Sequence, residues 1–278
     1  MMENLEKILR QRKIPFDRHG NRVRCFPHVI NIAVKTGLSY ATKLAAIPAH
    51  QVDEDEALES DLVATARKLV TFCRASGGRR DDFRDVVIEM KEELLRKKQE
   101  TGELEAGLNE VHYLIDRVVV LLRDVETRWS SIFLMIDRLL ELYPAVEKFV
   151  KAQPNCDVHL FSNIELQVLA DIREYLYAFH AVQEIASAEK TPTLSMVLPL
   201  YEDLIGLLQD MKAPKHLQNL EHLIDASLGK IQEYMGKSRK SRIHVLAMGM
   251  SYCFITQNFK CLICLITSHK PDCQTFLD

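Results

Sequence analysis

The sequence predicts a mainly α protein, an array of amphipathic helices with one short strand-to-helix unit near its start. Three observations predict this. Only 10 Gly and 9 Pro punctuate 278 residues, too few for the many turns of a sandwich or barrel. Apolar residues recur at spacings of three and four through most of the chain, the period of a helix with one buried face. A composition of 47% hydrophobic and 27% charged residues is that of a globular chain able to bury a core, in one large or two ordinary domains.

Leu5, Ile8 and Leu9 form one face of an opening helix that Pro15 should end. Residues 23–26 alternate in polarity after Gly20 and Asn21 and read as a strand, and Pro27 then opens a helix running towards Gly37. Residues 53–76 place an acidic start before the stripe Leu58, Leu62, Ala66, Leu69, Val70 and Cys73, with Gly77 and Gly78 as terminator. Residues 81–100 repeat the design through Phe83, Val86, Val87, Met90, Leu94 and Leu95, with the charge run KEELLRKKQE on the solvated face. Residues 112–125 stay ambiguous, because the β-branched Val118 to Val120 suit a strand and the surrounding length suits a helix. After Trp129, Ser130 and Ser131 are suited to cap a helix carrying Ile132, Met135, Ile136, Leu139 and Leu140, which Pro144 should kink.

Ser162 with Glu165 three residues later is a capping-box pattern, in which each side chain satisfies the other residue's backbone N–H, and a helix to about Ala188 follows. Thr191, Pro192 and Thr193 break the chain, and Pro199 should bend the next helix, which runs to Met211. Pro214 opens a last helix through Leu217, Leu220, Leu223, Ile224, Leu228, Ile231 and Tyr234, with Gly236 as its stop. Beyond it come the basic hexamer KSRKSR at 237–242 and a Cys-rich, largely uncharged tail.

A formal charge of -3 and a pI near 6.4 provide no global field to draw the chain onto nucleic acid, so such a partner would need a local basic patch. The first residues carry no signal-peptide pattern and no tract reaches the clean apolar length of a membrane span, so a reducing compartment is expected and no membrane partner. Seven Cys, four of them within residues 253–273, do not make a disulfide framework. Cys261, Cys264, His269 and Cys273 resemble a zinc knuckle, since two Cys two apart can chelate one ion while His and Cys complete a tetrahedron. The gap before Cys273 is one residue short, and the loop lacks the usual Gly and aromatic. Cys25 and His28 could supply two metal ligands and need two more. No nucleophile elbow and no phosphate-cradling Gly loop occurs.

The run RCFPHVINIAV at 24–34 and the run LLRDVETRWSS at 121–131 resemble two elements of the hobo/Activator (hAT) superfamily of DNA transposases, its Cys-x-x-His and its Thr-Arg-Trp elements. Residues 188–194 and 198–201 resemble the family's later helical stretch, fungal members being closest. The family-motif residues are thus Cys25, His28, Arg128 and Trp129. The resemblance implies a ribonuclease H-like core split by a helical insertion, with Mg2+ as cofactor in intact members, held by two Asp and a Glu because hard carboxylate oxygens suit paired divalent ions. None of these three carboxylates finds a match here, so no catalytic residue is assigned and no cofactor is expected.

The expected organisation is a remnant of the ribonuclease H-like core at 1–50, a helical insertion region at 51–236 and a basic, Cys-rich tail at 237–278. The leading reading is a truncated, catalytically inactive transposase-derived protein, nuclear by family resemblance and otherwise cytoplasmic. The alternative is a helical module that binds nucleic acid or protein, for which residues 91–98 and 237–242 offer phosphate contacts. A third is an enzyme completed by carboxylates on another chain.

Overall fold

The computed structural model describes residues 2–17, 23–44, 61–101, 120–125, 128–153, 158–187, 193–244 and 246–248. Among them the regular elements are helices: α1 (Met2–Gln11), α2 (Phe26–Leu44), α3 (Leu62–Cys73), α4 (Gly77–Thr101), α5 (Trp129–Glu141), α6 (Tyr143–Lys151), α7 (Asn163–Ala186), α8 (Val197–Asp210) and α9 (Glu221–Arg239), with 3-10 turns at Thr193–Met196 and Lys215–Leu220. The mainly α expectation holds. Cys261, Cys264, His269 and Cys273 lie outside the described residues.

Two compact units organise the chain. One takes the described residues of Met1–Ala41 and Glu174–His269, hence α1, most of α2, the later turns of α7, α8 and α9. Its core joins Val29, Ile30, Ala33 and Val34 of α2 with Tyr175, Phe179 and Val182 of α7, Leu200, Tyr201 and Leu204 of α8, and Leu223, Ile224 and Ile231 of α9. The Phe26 ring meets the edge of Tyr201 at 4.9 Å between centroids. The other unit takes the described residues of Thr42–Arg173, with α3, α4, α5, α6 and the opening turns of α7. There Phe149 of α6 is met edge-on by Phe72 of α3 at 6.5 Å and by Phe83 of α4 at 5.6 Å.

Several local expectations change on folding. No strand forms at residues 23–26: residues 23–25 lack regular structure and Phe26 is already helical. Among the described residues no strand lies beside them to accept a ladder, while Pro27 falls in the first turn of a helix, where its missing N–H is harmless. α1 stops at Gln11 rather than at Pro15, because Lys13 turns into the left-handed region (φ 59°) and Ile14 N–H bonds back to Leu9 O at 3.0 Å. α2 passes through Gly37 instead of ending there. Gly77 and Gly78 open α4 rather than closing α3, since Asp61 caps the start of α3 and Ser76 Oγ accepts the Arg79 N–H. Pro144 and Pro199 neither kink nor bend a helix; each sits in the first turn of a new one. α9 continues three residues beyond Gly236 to Arg239, where Lys237 and Arg239 are favoured beside the C-terminal carbonyls. The capping box at α7 forms as read, with Ser162 N–H donating to Glu165 Oε2 at 2.7 Å and Glu165 N–H to Ser162 Oγ at 3.3 Å.

Candidate nucleic-acid interface

The Cys-x-x-His element straddles the start of α2. Cys25 precedes the helix, is exposed with a free thiol, and accepts the Val29 N–H at its backbone oxygen. His28 is exposed in the first turn of α2. Both line a cleft of about 270 Å³ together with Val23, Arg24, Val29, Tyr234 and Lys237. The far wall is the last turn and a half of α9, more than two hundred residues along the chain. The carry-through of α9 past Gly236 is what brings the first lysine of the basic hexamer to this wall.

The cleft is cationic. Arg24, His28 and Lys237 line it and no carboxylate does. Arg24 makes no ion pair with a described residue, whereas Lys237 is engaged by Glu233 one turn earlier on α9. Glu233 also receives Lys230 Nζ at 3.0 Å. Its hydrogen bond to Lys237 first, and that to Lys230 second, pull the carboxyl down to about 2, so it stays ionised across any working pH. Lys237 Nζ stands over the Tyr234 ring, 4.6 Å from its centroid, which adds a cation–π contact. Lys240 and Arg242 follow Lys237 and are exposed, while Arg239 pairs with Glu202 at 2.7 Å. Buried beneath the cleft, the Tyr201 hydroxyl is raised to about 12 chiefly by desolvation.

Arg128 and Trp129 of the Thr-Arg-Trp element belong to the other unit. Val125 and Arg128 form an isolated antiparallel bridge, and Arg128 N–H donates to Val125 O at 2.8 Å. Ser131 Oγ accepts the Val125 N–H at 2.7 Å and lies 2.6 Å from Arg128 O, so this serine closes the turn rather than capping α5. Trp129 begins α5 and is 2% exposed; Arg128 before it faces solvent. The approach to the turn is held by Arg67 to Asp124 at 2.6 Å and by an Arg74 hydrogen bond to Leu121 O. Within its unit this element is a packed corner, with Trp129 as core and Arg128 as its solvent-facing member.

The family model of the ZBED1 RNase-like helical domain matches residues 23–175. The chain belongs to this family. The hAT relationship that the two motifs carry therefore holds, and the matched span begins at the Val23 edge of the cleft and contains Cys25, His28, Arg128 and Trp129. Tyr234 and Lys237, the opposite wall, lie beyond it. No curated protein matches the chain, and no solved structure does.

The paired Mg2+ of intact hAT enzymes would need carboxylates brought together among the described residues. No group of three or more His, Cys, Asp or Glu side chains is placed there to hold a metal ion, so these residues do not fit that cofactor. Among the described residues no helix is long and apolar enough to cross a membrane. In the sequence Cys25, His28 and Lys237 stand out only as separate features. Val23 has the pattern of a strand and Tyr234 that of a buried helix face, and no local pattern signals that both line the cleft.

Proposed function

We propose that this hAT-derived chain is a catalytically inactive, nuclear nucleic-acid-binding protein of fungal type. The observation that carries the binding is the meeting of the Cys-x-x-His element with the start of the basic hexamer in one cleft lined by Arg24, His28 and Lys237 and free of carboxylates. Arg24 and Lys237 so placed suit the phosphates of a nucleic acid backbone, which supply most of the sequence-independent affinity. The reading of inactivity is supported by the family's Asp, Asp and Glu finding no match among these residues. In terms of organisation, residues 1–50 descend from the catalytic core and 51–236 from the helical insertion.

The experiment is retention of a labelled 20-base-pair duplex by the purified chain at about 50 mM salt, repeated at about 200 mM. Binding that weakens about tenfold or more over this range is expected for a few phosphate contacts; no retention at the lower salt would sink the reading. The same mixture with Mg2+ or Mn2+ should leave the strands uncut.

A protein partner is the second reading. Leu5 and Ile8 on α1 are 40% and 48% exposed, and α1 buries none of its residues. Leu5→Ser with Ile8→Ser should abolish such an association and leave duplex binding unchanged.

A further inference from the structure

We propose that the cleft beside α2 holds a single backbone phosphate and that Glu233 competes with this phosphate for Lys237. The inference rests on the nucleic-acid reading above and specifies its site. Arg24 is a cation without an ion-pair partner among the described residues, set in a concavity large enough for a phosphate group. His28 lines the same concavity and adds ring nitrogens able to hydrogen-bond phosphate oxygens. Lys237 completes the lining, but its ammonium is held by the Glu233 carboxylate.

Glu233 is not left bare when Lys237 turns away, because Lys230 also binds it, through the other carboxylate oxygen. Lys237 is therefore a shared cation with two acceptors. When the cleft is empty it serves Glu233, and when a phosphate enters beside Arg24 it can turn to the phosphate while Lys230 keeps the carboxylate neutralised. The arrangement weakens non-specific capture of small anions, because any ligand must outbid an ion pair already in place. A polyanion with further phosphates over Lys240 and Arg242 meets that cost more readily than free phosphate does.

The test compares duplex binding, by fluorescence anisotropy at about 50 mM salt, for the full chain and four variants, each checked for unchanged helicity. Glu233→Gln should tighten binding about 3- to 10-fold, the range of one freed exposed ion-pair partner. Glu233→Gln combined with Lys237→Ala should lose that gain, and Arg24→Ala should weaken binding about tenfold. Asp210→Asn, which removes one negative charge from the end of α8, should change little. Wild-type affinity for Glu233→Gln, an equal gain for Asp210→Asn, or a gain that survives the loss of Lys237 would each overturn the proposal while leaving nucleic-acid binding intact. A wild-type chain that binds no duplex overturns the reading of function, and this inference with it unless Glu233→Gln binds.

Discussion

Gly37 sits in the middle of α2 because its neighbours leave no room for a side chain. A Cβ there would overlap Tyr175 Oη and Ser227 Oγ and press on Leu223 O at 3.1 Å. Those hydroxyls belong to a buried relay in which Tyr175 Oη and Ser227 Oγ lie 2.6 Å apart and Ser227 donates to Ala33 O at 3.0 Å. Burial pushes the Tyr175 hydroxyl well above its ordinary range, so it remains a neutral partner. Gly37→Ala should cost about 1–3 kcal/mol by overpacking and by parting the relay, measured as a shift in the urea midpoint at constant slope. Glu165 offers a second test at this scale. Burial opposes its ionised form, but the Ser162 N–H, His159 and Ser162 Oγ hydrogen bonds together hold its carboxyl below the usual value. A depressed folded value means stabilisation that is complete above the unfolded range, near pH 4.5, and is lost as pH falls through the folded value. Glu165→Ala should therefore cost about 1 kcal/mol at pH 7, with the gap to wild type closing as thermal melts are taken towards pH 3.

At the level of elements, α3, α4 and α6 are joined through one aromatic cluster. Phe149 is 1% exposed between the rings of Phe72 and Phe83, so Phe149→Ala should remove about 3–5 kcal/mol from its unit, read by denaturant unfolding. The stripes on α3, α4 and α5 were legible because a period of 3.6 marks a buried face whatever it packs against. Element ends were less legible, since Gly and Pro carry opposite meanings at the two ends of a helix. Pro144 and Pro199 looked like breaks inside long patterns and are first-turn residues of separate helices. Gly236 looked like a stop, yet the Lys237 to Glu233 pair one turn apart carries α9 through it. Gly236→Ala should accordingly stabilise α9 by about 0.5–1 kcal/mol, since an added Cβ meets nothing within 4 Å.

For the whole molecule, a net charge of -3 means that any attraction to nucleic acid is local and short in range. The Debye length of about 10 Å at 0.1 M salt confines it to the residues around the cleft. Arg24→Ala with Lys237→Ala should thus abolish most salt-dependent retention of a duplex, although the chain keeps its other basic residues. The sequence by itself determined the helical class, the capping box of α7 and the family, because these depend on period, on residues three apart and on short contiguous motifs. Only the tertiary structure decided why Gly37 is glycine, that residues 23–25 border a cleft instead of forming a strand, and that Lys237 stands across from Arg24 and His28. Each of these relations joins residues far apart in the chain, and packing, which no local pattern encodes, brings them together.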